Sequence, residues 1–237
     1  MNMKKSIAGP INLLAALALG LTISASAQSL ANSPSSAAAP SPAPAAIDTG
    51  LLGATYAQAD FGYQKEAVGI PDILHDYGVV YNQSLFKEGS WGTDLNLTCD
   101  YRTGSAFAAH DYRDTGMAGL TEYLVQSWGD PFVTVDGGGA WQHADNVARK
   151  SFAYSFTGGV QFLVLPNLFL TPFTEYQAEP YLYNHEIRHA FSPDHDWDYG
   201  VKATYRLTPH WSLSFTADMD QYSRNDLGYL AGLSCSF

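Results

Sequence analysis

The stretch Trp91-Gly92-Thr93-Asp94-Leu95-Asn96-Leu97-Thr98-Cys99-Asp100-Tyr101 decides how the rest of the chain is read. Trp91, Leu95, Leu97, Cys99 and Tyr101 alternate with Gly92, Asp94, Asn96, Thr98 and Asp100, and in a β-strand these two sets point to opposite faces, one apolar and one polar. Phe152 to Val164 repeats the pattern, with Phe152, Tyr154, Phe156, Val160, Phe162 and Val164 against Ser155, Thr157, Gly159 and Gln161. Trp197 to Leu207 sets Trp197, Tyr199, Val201, Ala203, Tyr205 and Leu207 against Asp198, Lys202, Thr204 and Arg206. Trp211 to Tyr222 and Leu227 to Phe237 follow the same rule.

Five weaker segments complete the set: Ala54 to Gln64, Asp76 to Phe86, Gly116 to Ser127, Pro131 to Gln142 and Leu168 to Glu179. Ten strands result, each near the 9 to 11 residues that cross a bilayer at a tilt. Pro172 cannot donate to a ladder, so a bulge is expected there. Gly137, Gly138 and Gly139 suggest bending. Tight links fall at Lys87 to Ser90, near Trp128 to Asp130, at Pro166-Asn167 and at Pro209-His210. The intervening connections, Lys65 to His75, Thr103 to Thr115, His143 to Ser151 and Tyr181 to Asp196, are longer; Ser223 to Asn225 is the short one on that side. Short turns at one end and long loops at the other fit an outer-membrane barrel with both termini in the periplasm.

The composition agrees. The 237 residues are 46% hydrophobic but only 15% charged, with 15 Tyr, 12 Phe and 5 Trp, and a mean hydropathy of -0.12. A bundle of membrane helices would need several long apolar runs, and there is one, at the N-terminus. Met1 to Ala27 has the parts of a secretory signal: Lys4 and Lys5, an apolar stretch from Ile11 to Ile23, and the small residues Ala25-Ser26-Ala27. Residues 28–50, rich in Ala, Pro and Ser, read as a disordered periplasmic tether, and 51–237 as the barrel. Cleavage of the signal would leave ten basic residues against 23 acidic ones, a net charge of -13. That balance excludes nucleic acid as a partner, whose phosphates need a basic surface.

A soluble barrel with its apolar face inward could show the same alternation. The membrane form is favoured because all five tryptophans, Trp91, Trp128, Trp141, Trp197 and Trp211, fall at strand ends, where aromatic girdles sit, and because the apolar faces are nearly free of charge. The closing segment, with Tyr229, Ala231, Leu233 and Cys235 alternating ahead of Phe237, resembles the last strand of bacterial outer-membrane proteins. The stretch from Tyr199 to Asp218 looks like the hairpins of small OmpA-type barrels. This resemblance covers about Ala54 to Phe237. It implies an all-β fold, a transmembrane antiparallel up-and-down barrel of ten strands with eight as the alternative, in the outer membrane of a diderm bacterium. It also implies that Tyr229, Leu233 and Phe237 are read by the barrel-assembly machinery, and that the surroundings are outer-membrane lipid and lipopolysaccharide. A monomer without a cofactor is expected.

With the apolar faces outward, the interior receives Asp60, Asp94, Asp100, Glu122, Asp136, Glu175, Glu179, Asp198, Asp218 and Asp220 against Arg102, Lys202 and Arg206. One reading makes the three bases staples of a filled lumen; the other makes the excess acid the lining of a narrow, cation-preferring pore. Cys99 and Cys235 should face lipid two strands apart, too far for a disulfide, and stay free thiols.

His185-Glu186-Ile187-Arg188-His189 fits the H-E-x-x-H zinc-protease pattern, with His195 where a third ligand would stand and Ser192 where the longer motif has Gly. In those enzymes the pattern lies on a helix inside a shaped domain, whereas here it falls in a loop of about sixteen residues. A protease is therefore not expected, and a surface metal site of His185, His189 and His195 stays the lesser alternative. His75, His110 and His143 also fall in long-side loops. Glu186, His189 and Ser192 form the one candidate nucleophilic group, with spacing unlike the lipid A deacylases. The expected role is structural or surface-contact, non-enzymatic, with at most minor conductance.

Overall fold

The computed structural model describes residues 50–66, 72–104, 112–144, 147–178, 195–220 and 227–237. Ten strands run in chain order: β1 (Tyr56–Glu66), β2 (Asp72–Glu88), β3 (Trp91–Gly104), β4 (Tyr112–Leu124), β5 (Asp130–Ala144), β6 (Val147–Leu165), β7 (Leu168–Ala178), β8 (His195–Arg206), β9 (Trp211–Asp220) and β10 (Leu227–Ser236). Each pairs antiparallel with its sequence neighbours, and β10 closes on β1 from Tyr56↔Ser236 to Lys65↔Leu227. A closed ladder leaves no edge, so backbone polar groups find partners without water.

The faces sort as the alternation demands. Phe61, Val133, Phe152, Phe156, Val201, Tyr205, Leu213 and Phe215 are exposed on the outside, while Gln58, Asn82, Asp94, Ser155, Thr204, Ser212, Ser214 and Ser234 are buried toward the axis. A water-soluble protein inverts this order. The molecule is a transmembrane barrel, apolar outside and polar inside. Trp91, Trp128 and Trp211 ring the short-turn rim, and Trp141 and Trp197 stand toward the opposite one, all exposed. Neighbouring strands join aromatic rings on the outer face, as in Phe61–Tyr77 at 6.1 Å, Tyr77–Tyr101 at 6.3 Å and Tyr176–Trp197 at 5.1 Å. Such cross-strand pairs each add up to about 1 kcal/mol.

Several strands are longer than a bilayer needs: β2 has 17 residues and β6 has 19. The β5–β6 ladder continues to Ala144↔Val147, so the long connection expected at His143 to Ser151 shrinks to residues 145–146. Likewise β3 and β4 pair out to Thr103↔Tyr112, which takes Arg113 out of the expected loop and into a strand. His75 and His143 also belong to strands rather than loops; His110 lies outside the described residues. Beyond the membrane a strand's outer face need not be apolar, so the period-two signal ends before the strand does.

No bulge forms at Pro172. It stays in register opposite Val201 of β8, and on the β6 side the register is the same before and after it, from Gly159↔Phe173 to Phe162↔Leu170. The pairs between them are simply not made, which suits a residue without an N–H. The bulges lie at Leu163/Leu165 in β6 and at Ser84/Phe86 in β2, both near the short-turn rim. Gly137, Gly138 and Gly139 run through unbroken register with β4 and β6. Cys99 and Cys235 are free.

Candidate functional site

The lumen holds a cavity of about 420 Å³ lined by residues of all ten strands. Eight carboxylates, those of Asp60, Asp76, Asp94, Asp100, Asp136, Glu175, Asp198 and Asp218, line it against Arg102 and Lys202. Of the interior residues named from sequence, Arg102, Lys202, Asp60, Asp94, Asp100, Asp136, Glu175, Asp198 and Asp218 stand there.

Each base has a specific partner. Arg102 donates to Asp76 Oδ2 from Nη2 at 2.9 Å and from Nε at 3.1 Å. Lys202 donates to Gln58 Oε1 at 3.4 Å, and the Gln58 amide donates onward to both oxygens of Asp60 at 2.7 and 2.8 Å. Arg206 instead donates from Nη2 to the Gly50 carbonyl at 3.1 Å, with its guanidinium 5.3 Å above the Phe169 ring. A neutral ladder runs across the floor, from Asn96 Nδ2 to Thr121 Oγ1 at 2.6 Å and from Thr121 to Thr134 at 2.7 Å.

Glu122 is the departure. It was expected in the lumen, but on β4 the inward positions are Arg113, Thr115, Thr121 and Tyr123, so Glu122 faces outward, opposite Val133, and accepts from Thr93 Oγ1 at 3.0 Å. The physical reason is Tyr123: its ring is only 2% exposed, filling the short-turn mouth, and a one-residue parity then turns Glu122 to the outer rim. Glu179, His185, Glu186, His189 and Ser192 lie outside the described residues. His195 opens β8 and Asp220 ends β9, and their side chains are not described. Among the described residues no group of three His, Cys, Asp or Glu could hold a metal ion.

Asp76 and Arg113 also face the interior, though the sequence reading does not name them there. Asp76 falls on the polar parity of its own segment with Gly78 and Asn82, so the pattern could have placed it. Arg113, 6% exposed and directly opposite Arg102, could not be placed because its strand was read as a loop.

The short-turn mouth is occupied. Before β1 the chain makes a turn, Gly50-Leu51-Leu52-Gly53, closed by the Ala54 N–H to the Leu51 carbonyl at 3.2 Å, and Leu51 and Leu52 line the cavity. Gly53 N–H donates to Asp94 Oδ2 at 2.8 Å, Asn82 Nδ2 donates to the Ala54 carbonyl at 2.7 Å, and Ser84 N–H donates to Thr55 Oγ1 at 3.3 Å. Arg206 holds the Gly50 end from the far wall. Gly50 and Gly53 have φ of 63° and 72°, which side chains rarely adopt, and a Cβ on Gly53 would strike the Tyr123 hydroxyl. The sequence offered only a Gly-Leu-Leu-Gly run at the end of a tether, with no periodicity to mark it.

No family model and no curated protein matches the chain. Among solved structures it is similar to the NanC porin, at 12% identity over 76% of this chain and 100% of that one, with a TM-score of 0.45. It is similar to the β-domain of the Bordetella autotransporter Brka, at 13% identity over 78% and 99% with a TM-score of 0.46. An outer membrane channel from Pseudomonas putida F1 is 10% identical over 78% and 96%, with a TM-score of 0.42. The fold assignment rests on the closed ladder and the inside-out sorting of side chains.

Proposed function

We propose that the protein is an outer-membrane barrel of a diderm bacterium with a structural or surface-contact role, its lumen closed at rest. The observation that carries this reading is the turn of residues 50–53 seated in the short-turn mouth, bound to opposite walls through Asp94 and Arg206. The short turns and both termini of the chain then face the periplasm, as in the small OmpA-type barrels that the closing strand and the Tyr199–Asp218 hairpin resemble. Tyr229, Leu233 and Phe237, the first two on the outer face of β10 and the last just beyond it, are the residues for the assembly machinery to read. Its surroundings are outer-membrane lipid and lipopolysaccharide, and it acts as a monomer without a cofactor or a catalytic role.

Two measurements test this. The folded protein should migrate faster than the boiled protein on a gel, and in planar bilayers it should give no sustained conductance. A protein that partitions into water without a heat-dependent shift ends the membrane reading; steady channels in every insertion end the closed-lumen reading. The second reading, a narrow cation-preferring pore, is favoured by one observation, the excess of carboxylates around the 420 Å³ cavity.

A further inference from the structure

We infer that the Gly50–Gly53 turn is a displaceable gate, and that the lumen behind it conducts small inorganic cations when the turn leaves; this rests on the reading of a barrel closed at rest.

The turn is not part of the wall. The ladder begins at Tyr56, and β1 keeps its full set of partners on β10 and β2 without any residue of the turn. Thr55 is itself fixed, because its carbonyl accepts from the Phe237 N–H at 3.0 Å. A hinge therefore falls at Ala54, and residues 50–53 can swing out while the barrel stays shut around its circumference.

Bonds from opposite walls hold the turn, Asp94 to the Gly53 N–H on one side and Arg206 to the Gly50 carbonyl on the other, while Asn82 holds the Ala54 carbonyl at the hinge. Glycine at both ends gives the backbone other conformations to adopt once released. Leu51 and Leu52 present apolar side chains to a lumen otherwise lined mainly by polar groups, so they interpose a dry constriction that opposes ion passage. Asp94, 1% exposed, accepts at Oδ2 from both the Gly53 N–H and Asn82 Nδ2. With the turn gone, that carboxylate loses one of its two partners and faces the open mouth.

The class of solute follows from the lining. Eight acidic side chains line the cavity against Arg102 and Lys202, and with Arg113 and Arg206 beside it the acids still outnumber the bases two to one, which favours positive ions over anions. Asn82, Asn96, Thr121 and Thr134 beside the mouth supply oxygen and amide groups without bulk, and the size of the cavity suits hydrated metal ions rather than large organic solutes.

The test uses the full chain in planar bilayers under a potassium chloride gradient. Three forms are compared with the unmodified protein: a variant lacking residues 50–53, the pair Asp94→Ala with Arg206→Ala, and Gly53→Val, which forces a side chain against Tyr123. Heat-dependent gel migration confirms that each form has folded. The expected result is that the unmodified barrel is closed for nearly all of the record, whereas the folded variants are open about tenfold more often or beyond. Their reversal potential should shift toward that of potassium. Folded variants lacking residues 50–53 that stay as closed as the unmodified barrel overturn the gate. Open variants that favour chloride, or neither ion, overturn the cation conduit. Steady opening of the unmodified barrel alone would instead remove the closed resting state on which the inference stands.

Discussion

Arg102 Nη2 lies 2.9 Å from Asp76 Oδ2, on directly opposed positions of β3 and β2, while Arg113 stands opposite Arg102 on its other side. One carboxylate thus sits at the end of a row that carries two guanidinium groups. Asp76 is the acid that makes this row tolerable in a narrow lumen, more than the acids farther round the wall.

Asp76→Ala should lower stability by about 1.5–3 kcal/mol, because it leaves a partly buried guanidinium beside a second one. Arg102→Met in the Asp76→Ala background should recover part of that loss. Denaturant midpoints of the protein folded in lipid vesicles measure both. Strictly additive losses would mean that the two residues do not act as a pair.

Tyr123 fills the mouth with its ring, only 2% exposed, and that packing carries most of its contribution to stability. Tyr123→Ala should therefore cost about 3–5 kcal/mol and Tyr123→Phe within about 1 kcal/mol of nothing. The same midpoints check this. A large loss on Tyr123→Phe would show that the hydroxyl is held.

Val201 faces out near the middle of β8 and Thr98 faces into the acid-lined lumen from β3. Val201→Arg should destabilise the barrel by about 2–4 kcal/mol, as expected for a charge at mid-bilayer. Thr98→Arg should cost clearly less, since carboxylates surround it. If the order is reversed, the assignment of inner and outer faces is wrong.

Cys99 and Cys235 lie on outward parities of β3 and β10, with β2 and β1 between them. Unfolded without reductant, the protein should titrate two thiols. Folded in vesicles, it should react slowly with a charged maleimide and faster with a lipid-soluble one. Rapid labelling of Cys99 by the charged reagent would place it in water.

The parts of the fold legible in the sequence are those where the membrane imposes a rule on every second residue. Trp91 to Tyr101 and Trp197 to Leu207 could be assigned strand, face and rim from alternation alone, because lipid on one side and polar lumen on the other leave each position one choice. Where lipid stops, the rule stops. Arg113 and the Ala144↔Val147 pair lie in strand extensions with no required outer face, so the sequence pattern reads both as loop. Glu122 was misplaced by one parity, since a lone acid among Gly116 to Ser127 does not reveal which face is outward at a rim.

The sequence by itself determined the ten strands, the inside-out sorting and the acidic interior. Only the tertiary structure decided which charges meet, because partners such as Arg102 and Asp76 are chosen by ladder register across strands. Tertiary structure alone also brought the Gly50–Gly53 turn into the mouth. That contact joins Gly53 to Asp94 and Gly50 to Arg206, residues far apart in the chain, which a closed circumference holds on opposite walls of one narrow opening.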